Sequence, residues 1–300
     1  MDISCYLGID GGATKTDYAL CDRDGRVLRR TTGEPTNPFD CGFETAAERL
    51  RAGICAICGE IPLSSVSAFA GLSGGATAGT QKRFADFFAG LGFGAVRNGS
   101  DMQNAVAAAL GKNDGICAVV GTGSVVCTQR NGETHRFGGY GYFFDDTLSG
   151  FDLGRRALAA VLRAAEGTGP RTLLSESCDA LCGGPVREHL NDIYARGKTF
   201  IASFAGTVFD AAEKDDPVAA RILQEQTQKL GETLLAADRD FSSPFERKIA
   251  LIGGLCKREN LLAPLLAPLF PLDTVIFSEE RQVTGALLLA GAPTERTHHA

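Results

Sequence analysis

The sequence predicts an α/β protein of two domains with a shared layout, and three observations predict it. Apolar runs of strand length alternate with segments of 3.6-residue periodicity. A pattern of strand, glycine-rich turn, strand, tight turn and strand opens the chain and recurs after residue 114. The 300 residues suffice for two cores of ordinary size.

The elements follow in order. "SCYLGID", "KTDYALCD" and "RVLRRTT" read as three strands, with "RDGR" as a hairpin turn between the second and third. A helix follows at about 43–58, then the strand "SVSAFAG", a helix near 79–91 and the strand "GAVRNGS". "SDMQNAVAAALG" opens a helix, with Ser100 and Gln103 as a capping box and Gly111 as its stop. "GICAVVGTGSVVCTQRNGETHRFGG" then repeats the opening, with "RNGE" in the place of "RDGR". Residues 150–241 are mostly helical. The chain returns to the strand "KIALIGG", a helix near 256–270, the strand "DTVIFS" and a last helix "VTGALLLAG"; the tail "TERTHHA" reads as frayed. These signals place one domain at 1–112 and the other at 113–300, with a helical insert at about 150–241.

Composition excludes several functions. The chain is 44% hydrophobic and 22% charged, with a net charge of −6 and no basic stripe, which argues against a nucleic-acid surface. No apolar run reaches the roughly 18–20 residues that span a bilayer. Asp2 and the strand-like start are unlike a signal peptide, so a cytoplasmic location is expected. Of ten cysteines, Cys5, Cys21, Cys117 and Cys127 fall in strand-like runs, and the lone Cys55-x-x-Cys58 reads as helix packing rather than zinc or redox chemistry. The four histidines form neither a nucleophilic triad nor a metal motif.

Chemistry concentrates at turns. In "IDGGATKT", Gly11 and Gly12 supply the positive φ of a hairpin turn. The neighbouring groups add more: glycine lets backbone N–H groups approach an anion, Thr14 adds a hydroxyl and Asp10 can hold a hydrated cation. The equivalent turn of the second half, Gly121-Thr122-Gly123-Ser124, has the same character, so the two can grip a phosphate chain from both sides. The second turn is not a Walker A loop, and its GxG leads into a strand rather than the helix that the dinucleotide fingerprint requires. Gly253 and Gly254 would admit a flat ligand such as adenine or ribose. Asp101, in the first turn of a helix, is the candidate general base. "FGGYGYFFDDTLSG" joins aromatics to the paired acids Asp145 and Asp146, a combination that suits a sugar, and Asn37 lies in a second polar loop.

These residues resemble the acetate and sugar kinase, Hsp70 and actin superfamily, and within it the BadF/BadG/BcrA/BcrD ATPase group that includes N-acetylglucosamine kinase. The resemblance rests on "GIDGGATKT", "TN" at 36–37, "GLSGG", "SDMQNAVAAA", "GTGS", "GGYG", "LIGG" and "GALLLA", in order and spacing along nearly the whole chain. It implies two ribonuclease-H-like (actin-like ATPase) domains around a nucleotide cleft, with ATP and Mg²⁺ as cofactors. On matching positions, Asp10, Gly11, Gly12, Thr14 and Lys15 would meet the phosphates and magnesium. Gly121, Thr122 and Gly123 would form the opposite phosphate loop, and Gly253 and Gly254 the adenosine site. Asn37, Asp101, Ser124, Gly139, Tyr140 and Asp146 match sugar-binding positions, and Asp101 also matches the base.

One departure stands out. Similar kinases continue "GDEGS" after the GGxG loop, whereas this chain has Asp146-Thr147-Leu148-Ser149, so Thr-Leu replaces Glu-Gly. The resemblance implies a homodimeric sugar kinase acting on the 6-hydroxyl of N-acetylglucosamine or glucosamine. Two alternatives stay open: an ATPase activator of a dehydratase or reductase, and a non-catalytic sugar sensor on the same fold.

Overall fold

The computed structural model describes residues 2–241, 248–270 and 275–293, so the tail "TERTHHA" lies outside the described residues. The chain divides into two units, residues 1–113 with 280–300, and residues 114–279.

The first unit carries a five-stranded sheet. Its strands are β1 (Cys5–Gly11), β2 (Thr16–Asp22), β3 (Val27–Gly33), β4 (Val66–Leu72) and β5 (Ala95–Gly99), in the spatial order β3-β2-β1-β4-β5. β1, β2 and β3 pair antiparallel, and β4 and β5 extend β1 in parallel. The alternation of β1 explains its place. Leu7 and Ile9 point into a core with Leu50 and Ile54 of the helix Phe43–Cys58 and with Phe84 and Phe88 of the helix Ala78–Ala89. On the other face, a Cβ at Gly8 would lie 2.7 Å from the backbone of Val283 and Leu287, so only glycine lets the last helix, Gln282–Ala290, lie on the strand. The edge strand β3 is largely exposed and carries Arg29 and Arg30, which discourage edge pairing.

The second unit repeats this order. β6 (Gly115–Val120), β7 (Ser124–Arg130), β8 (Glu133–Phe137), β9 (Lys248–Ile252) and β10 (Val275–Ser278) run β10-β9-β6-β7-β8, antiparallel across β6, β7 and β8 and parallel across β6, β9 and β10. Asn131 and Gly132 both take positive φ in the β7–β8 turn, as an Asn-Gly hairpin requires. Between β8 and β9 come the helices Gly150–Glu166, Leu174–Cys182, Leu190–Ser203, Ala205–Ala212 and Pro217–Asp238, whose apolar faces build the unit's core.

Two expectations change. The sequence boundary put the last helix in the second domain, but this helix packs on β1, β4 and the helix Asp101–Leu110, so it completes the first unit. Its small-residue face lets it lie close on that helix, since a Cβ at Gly285 would stand 1.9 Å from Asn104 O. The Cys55-x-x-Cys58 pair is split: Cys58 is buried and Cys55 exposed, and both are free thiols.

Candidate functional site

The carboxyl ends of β1 and β4 meet the start of the helix Asp101–Leu110, the kind of position where open α/β sheets bind ligands. Asp10 sits at the end of β1, opposite Gly71 of β4. The helix begins directly after β5 through the expected capping box, in which Ser100 and Gln103 satisfy each other's backbone groups. This fixes Asp101 in the first turn, where its carboxylate accepts the Met102 N–H at 3.0 Å.

Asn104, one turn further on, was not singled out from the sequence. It is fully buried, and its amide donates to Ile9 O at 3.2 Å, Asp10 Oδ1 at 2.8 Å and Gly71 O at 3.2 Å. One side chain thus ties two strand ends to the carboxylate. Gly71 makes room for it, since a Cβ there would stand 2.3 Å from the amide. The available signal was a second amide, directly after the capping-box Gln103, at the head of an alanine-rich helix.

Burial raises the pKa of Asp10 to about 7, and the nearby Asp101 pushes it the same way, while the Asn104 amide lowers it. Asp101 thus acts on Asp10 electrostatically, and Asn104 of the same helix holds the Asp10 carboxylate directly. Among the described residues no cluster of three His, Cys, Asp or Glu side chains forms a metal cage. A desolvated carboxylate beside a second acid nonetheless fits Mg²⁺, which is usually held by one or two carboxylates with phosphate oxygens and water.

The turn after Asp10 is built differently from the expectation. Gly11 and Gly12 do not take positive φ. Gly11 is required by space, because a Cβ would lie 2.5 Å from both Leu72 Cδ2 and Thr36 Oγ1. The turn closes through Gly12 N–H to Lys15 O at 2.9 Å, and Thr36 N–H reaches Gly12 O at 3.2 Å. That bond draws the loop of Asn37 to the turn, where Asn37 caps the short helix Pro38–Cys41 by accepting the Phe39 N–H. Lys15 pairs with Asp17 at 2.6 Å and remains largely exposed, and Thr14 is exposed beside it.

In the second unit, Gly121-Thr122-Gly123 links β6 to β7. Its carbonyls are held by the start of the helix Gly150–Glu166, with Gly150 N–H donating to Gly121 O at 2.7 Å and Phe151 N–H to Thr122 O at 3.2 Å. Gly253 lies alongside at the end of β9. Its φ of 126° and the 2.3 Å between a would-be Cβ and Val120 O both demand glycine. The structure thus brings the Gly121 and Gly253 turns together, and a Cβ on Gly254 would meet nothing within 4 Å, leaving an open face.

The loop after β8 separates the paired acids. Asp145 turns inward, accepting the Gly139 N–H at 3.1 Å and the Thr147 hydroxyl at 3.3 Å. Asp146 reaches the glycine turn: its Oδ1 accepts the Ser124 N–H at 2.6 Å, while its buried Oδ2 has no hydrogen-bond partner among the described residues. Burial raises its pKa, opposed by the Ser124 N–H and by Lys198, whose ammonium stands 3.8 Å away. Ser124 is tied to the loop a second time through its hydroxyl, which donates to Thr147 O at 2.7 Å. Tyr140, Phe143 and Phe144 are exposed. Leu148 is fully buried at φ 59°, a left-handed conformation, at the position where similar kinases place glycine.

Residues 7–290 match the model of the BadF/BadG/BcrA/BcrD ATPase family. The N-acetylmuramic acid/N-acetylglucosamine kinase of Clostridium acetobutylicum is 29% identical over 299 residues, covering 95% of this chain and 97% of that protein. A glucosamine kinase of Vibrio cholerae is 25% identical over 302 residues, covering 96% of each. Among solved structures, a candidate N-acetylglucosamine kinase from Chromobacterium violaceum superposes with a TM-score of 0.76 at 26% identity, covering 96% of this chain and 99% of that one.

Proposed function

The chain belongs to the BadF/BadG/BcrA/BcrD ATPase family, and we propose that it is an ATP-dependent sugar kinase acting on a hydroxyl, the 6-hydroxyl in our reading, of an amino sugar such as N-acetylglucosamine or glucosamine. The observation that carries this reading is the buried Asn104 amide, which holds Asp10 at the end of β1 at 2.8 Å, from the same helix whose capped first turn carries Asp101. One acid serves the cation and the other the acceptor.

Asp101 takes the proton of the sugar hydroxyl as the oxygen attacks the terminal phosphorus, and the leaving group is ADP. Asp10 would hold a magnesium ion, partly through water, with Gly11, Gly12, Thr14 and Lys15 around the phosphates, and the ion would supply charge that offsets theirs. We assign phosphate binding to Gly121, Thr122 and Gly123, and adenosine binding to Gly253 and Gly254. Asn37, Ser124, Gly139, Tyr140 and Asp146 orient the sugar; Oδ2 of Asp146, which makes no hydrogen bond among the described residues, is a ready acceptor for a sugar hydroxyl. Phosphoryl transfer relies on positioning and electrostatics, so exclusion of water from these groups contributes to rate.

The kinase reading is supported over the sensor at the Asp146 loop, where Leu148 takes φ 59° and Asp146 still reaches the Ser124 N–H.

Asp101→Asn is the direct test. It is expected to lower turnover by about 10² to 10⁴-fold, the range of general-base catalysis, with nucleotide affinity unchanged. Undiminished sugar phosphorylation by that variant would remove Asp101 from the mechanism.

A further inference from the structure

We infer that Lys198 is a phosphoryl-binding residue, whose ammonium stands over the glycine turn of the second unit and receives the terminal phosphoryl group of the nucleotide. The inference rests on the kinase reading above for the identity of the ligand.

The position is built by the backbone. Lys198 follows Gly197, which breaks the helix Leu190–Ser203 at φ 68° and ψ −157°. A Cβ at Gly197 would meet nothing within 4 Å, so no crowding requires glycine there, and its use is the kink itself. The kink separates two cations. Arg196 stacks 3.3 Å from the Phe200 ring centroid and pairs with Asp192 at 3.5 Å. Lys198 instead reaches the turn, with Nζ 3.4 Å from where a Cβ on Gly123 would stand. Glycine at 123 leaves clearance in front of the ammonium.

Its surroundings leave the charge available. The nearest acid, Asp146 Oδ2, is 3.8 Å away, an electrostatic contact beyond hydrogen-bond length. The Tyr142 ring centroid lies at 5.3 Å. The side chain is about one-third exposed, at 36%. Asp146 also creates the need. A carboxylate next to a group bearing three charged oxygens opposes its approach, and a cation between them offsets that repulsion. An ammonium has three donors on a flexible stem and can follow the phosphoryl group from nucleotide to sugar.

The test uses Lys198→Met, Lys198→Gln and Lys198→Arg, with thermal melting to confirm folding. Calorimetry gives affinities for a non-hydrolysable ATP analogue and for ADP, and steady-state kinetics gives kcat and the sugar KM. The wild type is expected to prefer the analogue, and Met and Gln to lose that preference by about tenfold, with kcat falling about 10²-fold, the scale of one electrostatic donor. The sugar KM should change little, and Arg should restore part of the preference. A wild type without the preference, or neutral variants that keep it, overturns the inference. So does a loss confined to the sugar KM, which would make Lys198 a support for Asp146. The nucleotide arm reads Lys198 even if no sugar is turned over, so failure of the kinase reading is distinguishable.

Discussion

Asn104 illustrates what a single buried amide can decide. It supplies hydrogen to Ile9 O, Gly71 O and Asp10 Oδ1, and Asn104→Ala would remove all three bonds, two of them buried. Each buried acceptor left without a partner costs about 1–3 kcal/mol, so a loss of about 2–4 kcal/mol in urea unfolding is expected, with turnover reduced further as Asp10 loses its anchor. Asp10 itself makes stability depend on pH. Its native pKa of about 7 exceeds the ordinary 3.8, so the native state holds the proton more tightly than the unfolded chain does. The contribution is present in full below pH 3.8 and is lost as pH rises through about 7. As pH rises over that window the wild type should therefore lose stability relative to Asp10→Asn by up to about 4 kcal/mol, at 1.36 kcal/mol per pKa unit. Magnesium with ADP, which needs the ionised acid, should stabilise the wild type more at pH 8 than at pH 6 and should have little effect on the Asn variant. A stability difference that stays constant with pH would place the Asp10 carboxyl in water.

At the scale of elements, glycine contacts and one left-handed leucine set the geometry. A Cβ at Gly285 would come 1.9 Å from Asn104 O, a backbone atom that cannot rotate away. Gly285→Ala must therefore push the last helix off the helix that carries Asp101 and Asn104. Overpacking of this kind costs about 1–3 kcal/mol. Turnover is expected to fall as well, although residue 285 belongs to neither the base nor the phosphate turns. At Leu148 two effects compete. Leu148→Gly would relieve about 1–2 kcal/mol of left-handed strain but remove a fully buried side chain worth about 2–5 kcal/mol. The cavity wins, and a net loss of about 1–3 kcal/mol in urea unfolding is expected. The strands and most helices were legible from their periodicity, as was the capping box at Ser100. The packing partner of the last helix was not, because "GALLLA" shows that a face is small and apolar without saying which sheet it covers. The conformations of Gly11 and Gly12 were also hidden: a glycine needed for positive φ and one needed for close approach look the same in sequence.

For the whole molecule, the repeated strand order is the main result that sequence could anticipate. The echo of "IDGGATKT" in "VVGTGSVV" corresponds to two sheets of identical connectivity, each with a glycine turn joining its first two strands. Contacts from distant segments were beyond reach. Asn104 meets Asp10 across 94 residues of chain, and Lys198 meets Asp146 only because Gly197 bends its helix. Neither follows a periodic rule. The chain is thus a family member whose proposed site residues lie mainly at strand ends, helix starts and close-packed glycines. The central claim is transfer of phosphate to an amino sugar. It is tested most directly by coupled ADP release from the purified full chain with ATP and magnesium, over N-acetylglucosamine, glucosamine, neutral hexoses and a control without sugar. Release should depend on an amino sugar and disappear in Asp101→Asn. ADP release that is the same with and without every sugar would contradict the kinase assignment.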